Sequence, residues 1–228
     1  MNRIVVGVLD SPTGQASCAR ALAELPGATK VLQFFSPPAE KAFGAFADTL
    51  LSVDPHAPTA CAGWSVHELV AHLAAGSAEI ADLVELELAE GRSRPTRDFG
   101  EREAPYRALS PKRLRRTFFA EALRATVAVE RLAAADDGNR RVMFTGVALD
   151  APTLILHIES ELALHRWDIV GSDAVSIAAL SDPRLAEHAL TTVAAMQPNV
   201  FASGGPVADV GDCHPAERTL LLWGRRPS

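Results

Sequence analysis

Glu161 and His165 stand four residues apart in a stretch with helical spacing, so both side chains leave one face about a turn apart. The apolar residues Ile158, Leu162 and Ile169 turn that face at least partly inward. A carboxylate buried without a partner costs several kcal/mol, and a metal ion is one way to offset that cost. His72 follows Leu69 by three residues, so it leans toward the interior side of a different helix. Two histidines and one carboxylate leave coordination positions open for water or substrate, which is what separates a catalytic metal from a structural one. The same donors suit Zn, Ni or Fe(II).

Spacing alone leaves plainer readings open. A single inward histidine is commonly a hydrogen-bonded core residue, and a Glu–His pair at this spacing is also a common surface contact on a helix. His157 continues the stripe of Glu161 and His165. It reads first as a surface residue, with metal ligand or hydrogen-bond donor to a ligand as the alternatives. His67 and His72 are five apart, which swings them off a common face and excludes the metalloprotease pattern.

The elements that must position these residues are mostly helices. Ser36 before Pro37 is a start signal, and Phe43, Phe46, Leu50 and Leu51 then line one face until Pro55 and Pro58. Ser65 and Glu68 form a capping box opening a second helix through Leu69, Leu73, Ile80, Leu83, Val84 and Leu88, with Gly91 as its stop. Residues 92–105 are charged and broken by Pro95, which reads as a loop. Ser110 and Pro111 open a third helix, and Asp150 opens a fourth that runs to Gly171. One more helix is expected near residues 183–196. The ends look different: the β-branched runs at 4–9 and 31–35, with helical spacing between, are a β-α-β signature, and residues 218–225 read as a strand.

The fold class is therefore α+β, mainly α: a four-helix bundle with a small α/β portion built from the N-terminal segment and the C-terminal strand. The expected division is 1–35, then the bundle at 36–172, then 173–228. Isolated strand pairs are marginal in water, so the N-terminal segment is expected to pack with the last strand.

Bulk properties narrow the function. A net charge of −6 gives no basic footprint for nucleic acid. The cluster Lys112, Arg113, Arg115 and Arg116 reads as solvated first turns of a helix. Three scattered cysteines, Cys18, Cys61 and Cys213, fit a reducing compartment rather than a disulfide framework. The first apolar run is too short for a signal sequence, and no run is long enough to span a membrane, so a soluble cytoplasmic protein is expected.

Two motifs carry a family resemblance. Cys61-Ala62-Gly63-Trp64-Ser65-Val66-His67-Glu68-Leu69-Val70-Ala71-His72-Leu73 resembles the second-helix motif of the mycothiol-dependent maleylpyruvate isomerase family, within the wider DinB-like metal-binding bundles. Glu161-Leu162-Ala163-Leu164-His165-Arg166-Trp167-Asp168-Ile169 resembles its fourth-helix motif, and Leu222-Trp223-Gly224-Arg225 is similar to its C-terminal strand. The resemblance implies that His72, Glu161 and His165 hold one divalent metal, zinc before nickel or iron, and that Arg225 contacts substrate. Trp64 and Trp167 read as packing residues, and Asp168 equally as a partner of His165 or as an anchor at the helix end.

The family's chemistry uses mycothiol as cosubstrate. The implied function is a metal-dependent isomerase or S-transferase that adds the thiol to a small electrophile, acting as a monomer or homodimer. The alternatives are a metal-activated hydrolase, with Glu68 as the nearby base, and a non-catalytic metal- or thiol-binding bundle. The chain departs from the family by carrying about 35 residues before the first bundle helix and too few after residue 199 for a full α/β lobe.

Overall fold

The computed structural model describes residues 37–135, 139–196 and 213–225. The expected N-terminal β-α-β segment, and with it its packing against the C-terminus, lies outside the described residues.

Four helices make the bundle: α1 (Pro37–Ser52), α2 (Val66–Glu90), α4 (Pro111–Ala135) and α5 (Ala151–Val170). Helix α2 lies along α4, and α1 lies along α5. Their inward faces meet in a continuous apolar core in which Phe43, Phe46, Phe118 and Phe119 interlock with Leu69, Leu73 and Leu114. Phe46 sets its ring edge-on to Phe118 at 5.6 Å between centroids. A second cluster toward the other end joins Ile80, Leu83 and Val84 of α2 to Val129 and Leu132 of α4 and Leu154 of α5.

The helix starts follow the local chemistry of the sequence. At α2 the Ser65 hydroxyl accepts from the Glu68 amide while the Glu68 carboxylate accepts from the Ser65 amide, the reciprocal capping box. At α5 the Asp150 side chain accepts from the Thr153 amide at 2.9 Å.

Besides a short added helix at Ala174–Leu180, three segments differ from the sequence reading. First, the excursion between α2 and α4 is not all loop: residues 99–107 form helix α3 (Phe99–Arg107), capped by Asp98, with Pro105 in its last turn. It has no apolar period because polar contacts fasten it. Glu79 of α2 is fully buried and takes the side chains of Arg94 and Arg97 together with the Arg97 amide. Burial alone would raise the Glu79 pKa, but these arginines and that amide bring it down to about 2.

Second, residues 142–149 form a hairpin of β1 (Val142–Phe144) and β2 (Val147–Leu149), antiparallel through the pair Met143 and Ala148. Its two turn residues, Thr145 and Gly146, both have positive φ, at 48° and 84°. That matches the tight hairpin turns whose twist suits paired strands.

Third, the C-terminal segment read as a strand is a helix. After α6 (Ala174–Leu180) and α7 (Pro183–Met196), residues 215–222 form α8 (Pro215–Leu222). Its signal is His214 followed by Pro215 at the first helical position, with Ala216, Thr219 and Leu220 buried on one face. A short run of consecutive apolar residues does not by itself separate strand from helix. Helices α6, α7 and α8 pack beside α5 through Leu164, Trp167, Leu180, Leu185 and Leu220. No helix among the described residues is long and apolar enough to cross a membrane.

Candidate metal centre and cavity

His72, Glu161 and His165 converge from α2 and α5. The Glu161 Oε2 atom lies 3.5 Å from His72 Nε2 and 3.4 Å from His165 Nε2. The three donor atoms all sit within 4.8 Å of one another, which is the spread that a single ion spans.

Each imidazole is held from behind by a carboxylate. His72 Nδ1 lies 2.7 Å from Glu103 Oε1, and His165 Nδ1 lies 2.8 Å from Asp168 Oδ2. A carboxylate accepts, so each Nδ1 donates to the carboxylate behind it and each Nε2 faces Glu161, where a proton holds the pair together and a metal ion would take that proton's place. The donor set therefore fits a divalent metal. Glu103 was invisible in the sequence reading because it belongs to α3. It is buried and is itself held by Arg107 Nη2 at 2.7 Å.

Asp168 serves both of the roles open to it. Besides His165 it binds Arg225, with Nε to Oδ1 at 3.1 Å and Nη2 to Oδ2 at 3.0 Å, and it accepts from Cys61 Sγ at 3.1 Å. Arg225 reaches it because Gly224, at φ +73°, ends α8 in a left-handed turn that few other residues take without strain. Burial would raise the Asp168 pKa, but His165 and Arg225 bring it down to about 2. Burial also works against charge on Glu161 and on His165. Hydrogen bonds from His165 and His72 nevertheless hold Glu161 well below the usual carboxylate range. Those to Asp168, Cys61 and Glu161 hold His165 well above the usual imidazole range. Cys61, His165 and Asp168 form a second group of possible donors beside the first.

The centre opens into a cavity of about 970 Å³ whose wall includes Cys61, Trp64, Phe99, Arg102, His157 and Arg225. Trp64 and Phe99 bracket the His72 ring, at 5.3 and 5.6 Å between centroids. Glu68 is occupied elsewhere: it caps α2 and pairs with Arg107. Trp167 is buried and donates to Ser172 Oγ, as a packing residue should.

His157 is not on the surface. It is 6% exposed, covered by Phe144 of the hairpin and by α7, where His188 Nε2 lies 3.1 Å from its Nδ1. Two buried imbedded rings at that distance share one proton, so neither gains by adding another. Burial pushes His157 down, and burial with the neighbouring His157 pushes His188 down to about 4 from 6.5. The unfolded chain thus binds the extra proton first. Stability from this pair is complete above pH 6.5 and is lost as pH falls toward 4. For His188 the loss comes to about 2 kcal/mol by pH 5. In thermal melts of metal-free protein, the fall between pH 7 and pH 5 is expected to be about 4–8 °C larger for wild type than for His188→Gln.

The sequence profile of the mycothiol maleylpyruvate isomerase N-terminal domain family matches residues 36–170, more than half of the chain. The chain belongs to that family. All three converging donors, and Glu103 and Asp168 behind them, fall within the matched mycothiol maleylpyruvate isomerase N-terminal domain. The fold is that of the mycothiol-dependent maleylpyruvate isomerase, seen in two crystal structures, one of them of a point mutant. They align with TM-scores of 0.51 and 0.52 at 20% identity, covering 63% of this chain and 65% of those chains. Curated proteins give no match.

Proposed function

We propose that this family member is a metal-dependent enzyme that activates a low-molecular-weight thiol, mycothiol, for addition to a small electrophile. The carrying observation is the pair of imidazoles whose Nδ1 atoms are pinned by Glu103 and Asp168, so that both Nε2 atoms converge with Glu161 on a large cavity. His72, Glu161 and His165 are the ligands in this reading. Zinc is the first choice of metal, with Ni and Fe(II) as alternatives.

When bound, such a metal supplies Lewis acidity that lowers the pKa of a coordinating thiol. The cavity volume is at the upper end of the ~300–1,000 Å³ usual for small-molecule sites, which leaves room for thiol and electrophile together. Glu103 and Asp168 keep the Nδ1 protons in place throughout. Arg225, fixed by Asp168 beside Cys61, puts a positive charge on the wall next to the donors, where negative charge develops as the thiolate attacks. In an isomerisation the new C–S bond forms, the former double bond rotates, and the C–S bond breaks again to return the thiol. In a transfer the C–S bond stays.

The hydrolase alternative loses its support here, since its candidate base Glu68 is committed to the α2 cap. The enzyme is placed in the cytoplasm, where its thiol is reduced, as a monomer or homodimer with the bundle at 36–172 as the catalytic unit.

The test uses zinc-loaded protein, mycothiol and maleylpyruvate with a panel of other activated alkenes and epoxides. Loss of substrate that requires both metal and mycothiol is expected, with either a geometric isomer or an S-conjugate as product by mass spectrometry. Metal-loaded protein that consumes nothing in the presence of mycothiol would overturn the reading.

A further inference from the structure

Gly76 lies in the middle of α2, one turn after His72 and on the same face, and it lines the cavity. Its φ is not positive, so the backbone there is ordinary helix, which alanine would adopt with a gain in stability. A helical glycine can also serve to admit a neighbouring helix, but a Cβ built on Gly76 meets nothing within 4 Å. Neither folding nor packing accounts for the missing side chain. What the glycine leaves open is the cavity, with a stretch of bare backbone that a ligand can approach closely.

Two polar groups share this part of the wall. Ser77 follows Gly76, and its hydroxyl has no hydrogen-bond partner among the described residues. His157 stands at the same level on the facing helix. Leu69 and Leu73 of α2 share a cluster with Leu162 of α5, and Ile80 and Leu83 share one with Leu154, so the two helices run antiparallel. One turn forward from His72 on α2 is thus level with one turn back from Glu161 on α5, where His157 sits. His157 is 6% exposed and its Nδ1 faces His188, while its Nε2 has no partner among the described residues. That Nε2 is not sealed inside the protein, as Arg102 Nε and Nη1 are, and it opens onto the cavity that His157 lines.

Burial pushes His157 below the usual imidazole range, so the ring is neutral. Paired with a second imidazole, it presents a donor or an acceptor at Nε2 according to which ring holds the shared proton. A hydroxyl both donates and accepts, so it fits either state, and it fits Ser77 as well. Mycothiol carries a cluster of such groups, because its cysteine is joined through an amide to a glucosamine–inositol. With the sulfur at the donors, the bonds from sulfur to that amide nitrogen reach about 5 Å, and the turn from His72 to Gly76 rises about 6 Å. The electrophile, by contrast, must meet the sulfur itself.

We propose that Gly76, Ser77 and His157 form a subsite for the hydroxylated sugar portion of the thiol cosubstrate, with the bare backbone of Gly76 as its floor and His157 Nε2 as its hydrogen-bonding partner. This rests on the thiol-addition reading for the identity of the ligand, but the subsite itself depends on neither turnover nor metal.

The experiment is calorimetric titration of the zinc-loaded chain with desthio-mycothiol, in which alanine replaces the cysteine, and with N-acetylcysteine, a thiol without the sugar. Gly76→Leu, which fills the floor, and His157→Phe, which keeps a ring but loses its nitrogens, are each expected to weaken desthio-mycothiol at least tenfold. N-acetylcysteine affinity and zinc content should stay as in wild type. Gly76→Ala is expected to raise the melting temperature by roughly 1–4 °C while weakening desthio-mycothiol several-fold, opposite signs that a structural role for the glycine does not produce. It also supplies the comparison should His157→Phe not fold. Wild type that does not bind desthio-mycothiol, or binding indifferent to the substitutions at Gly76, would overturn the subsite.

The two proposals fail separately. Mycothiol-dependent turnover without Gly76-dependent binding of desthio-mycothiol removes the subsite alone. Gly76-dependent binding without any thiol-dependent turnover removes the enzyme reading and leaves a cavity that binds a hydroxylated sugar.

Discussion

Replacing Glu161 with alanine is expected to abolish metal binding and, with it, every thiol-dependent reaction of the protein. The reason is geometric. Glu161 Oε2 lies within 3.5 Å of both His72 Nε2 and His165 Nε2, so it is the hinge of the donor set. Structural zinc sites with four protein ligands bind with roughly 10–16 kcal/mol, so by that scale one ligand is worth about 3–4 kcal/mol, or roughly a 10²–10³-fold loss in affinity. Elemental mass spectrometry on purified protein should find about one metal per chain in wild type and less than about a tenth of that in Glu161→Ala and His72→Ala. If wild type stays empty after reconstitution with Zn, Ni and Fe(II), the convergence of these residues is only a buried hydrogen-bond network and the proposed enzyme falls with it.

The largest effect on stability is expected in the apolar core, at a residue that does not itself line the cavity. Phe46 is fully buried and packs edge-on against Phe118, within a cluster of four phenylalanine rings from α1 and α4. Phe46→Ala removes the ring from a site that the surrounding helices hold open, which costs about 3–5 kcal/mol in transfer and cavity terms. For a domain of this size that corresponds to a melting temperature lower by roughly 6–20 °C. Phe46 does not line the cavity, so metal content in the folded fraction should match wild type. A variant that keeps its melting temperature would mean that the α1 face is not closed as described. A variant that melts early and also loses metal would mean that α1 positions the centre.

What the sequence showed and what it hid divide along physical lines. His72, Glu161 and His165 were readable as candidates because they ride on long helices with strong apolar periods and clear caps; spacing put Glu161 and His165 on one face, and the family resemblance joined His72 to them. Glu103 and Arg102 were hidden because α3 has charged residues and Pro105 where a period would be, and is held instead by Glu79 and its arginines. Periodicity also tells which face a residue takes but not what covers that face. His157 was therefore placed on the surface, although the hairpin and α7 bury it. The hairpin strands are three residues each, too short for alternation to show, and only the turn at Thr145 and Gly146 marked them. At the C-terminus a run of four apolar residues masked a helix that His214 and Pro215 announced.

Helix α3 and the segment before it are joined to the bundle largely through charged side chains, with Tyr106 packed against the apolar core. The candidate donors His72, Glu161 and His165 belong to the scaffold, while Phe99, Arg102 and Glu103 belong to this insert. The converging donors and part of the wall before them thus stand on different pieces of chain, linked by Glu103 behind His72. A bundle of this kind can vary Phe99 and Arg102 while keeping Glu103 behind His72 and Tyr106 against the core, and so change what lies before the donors without moving them.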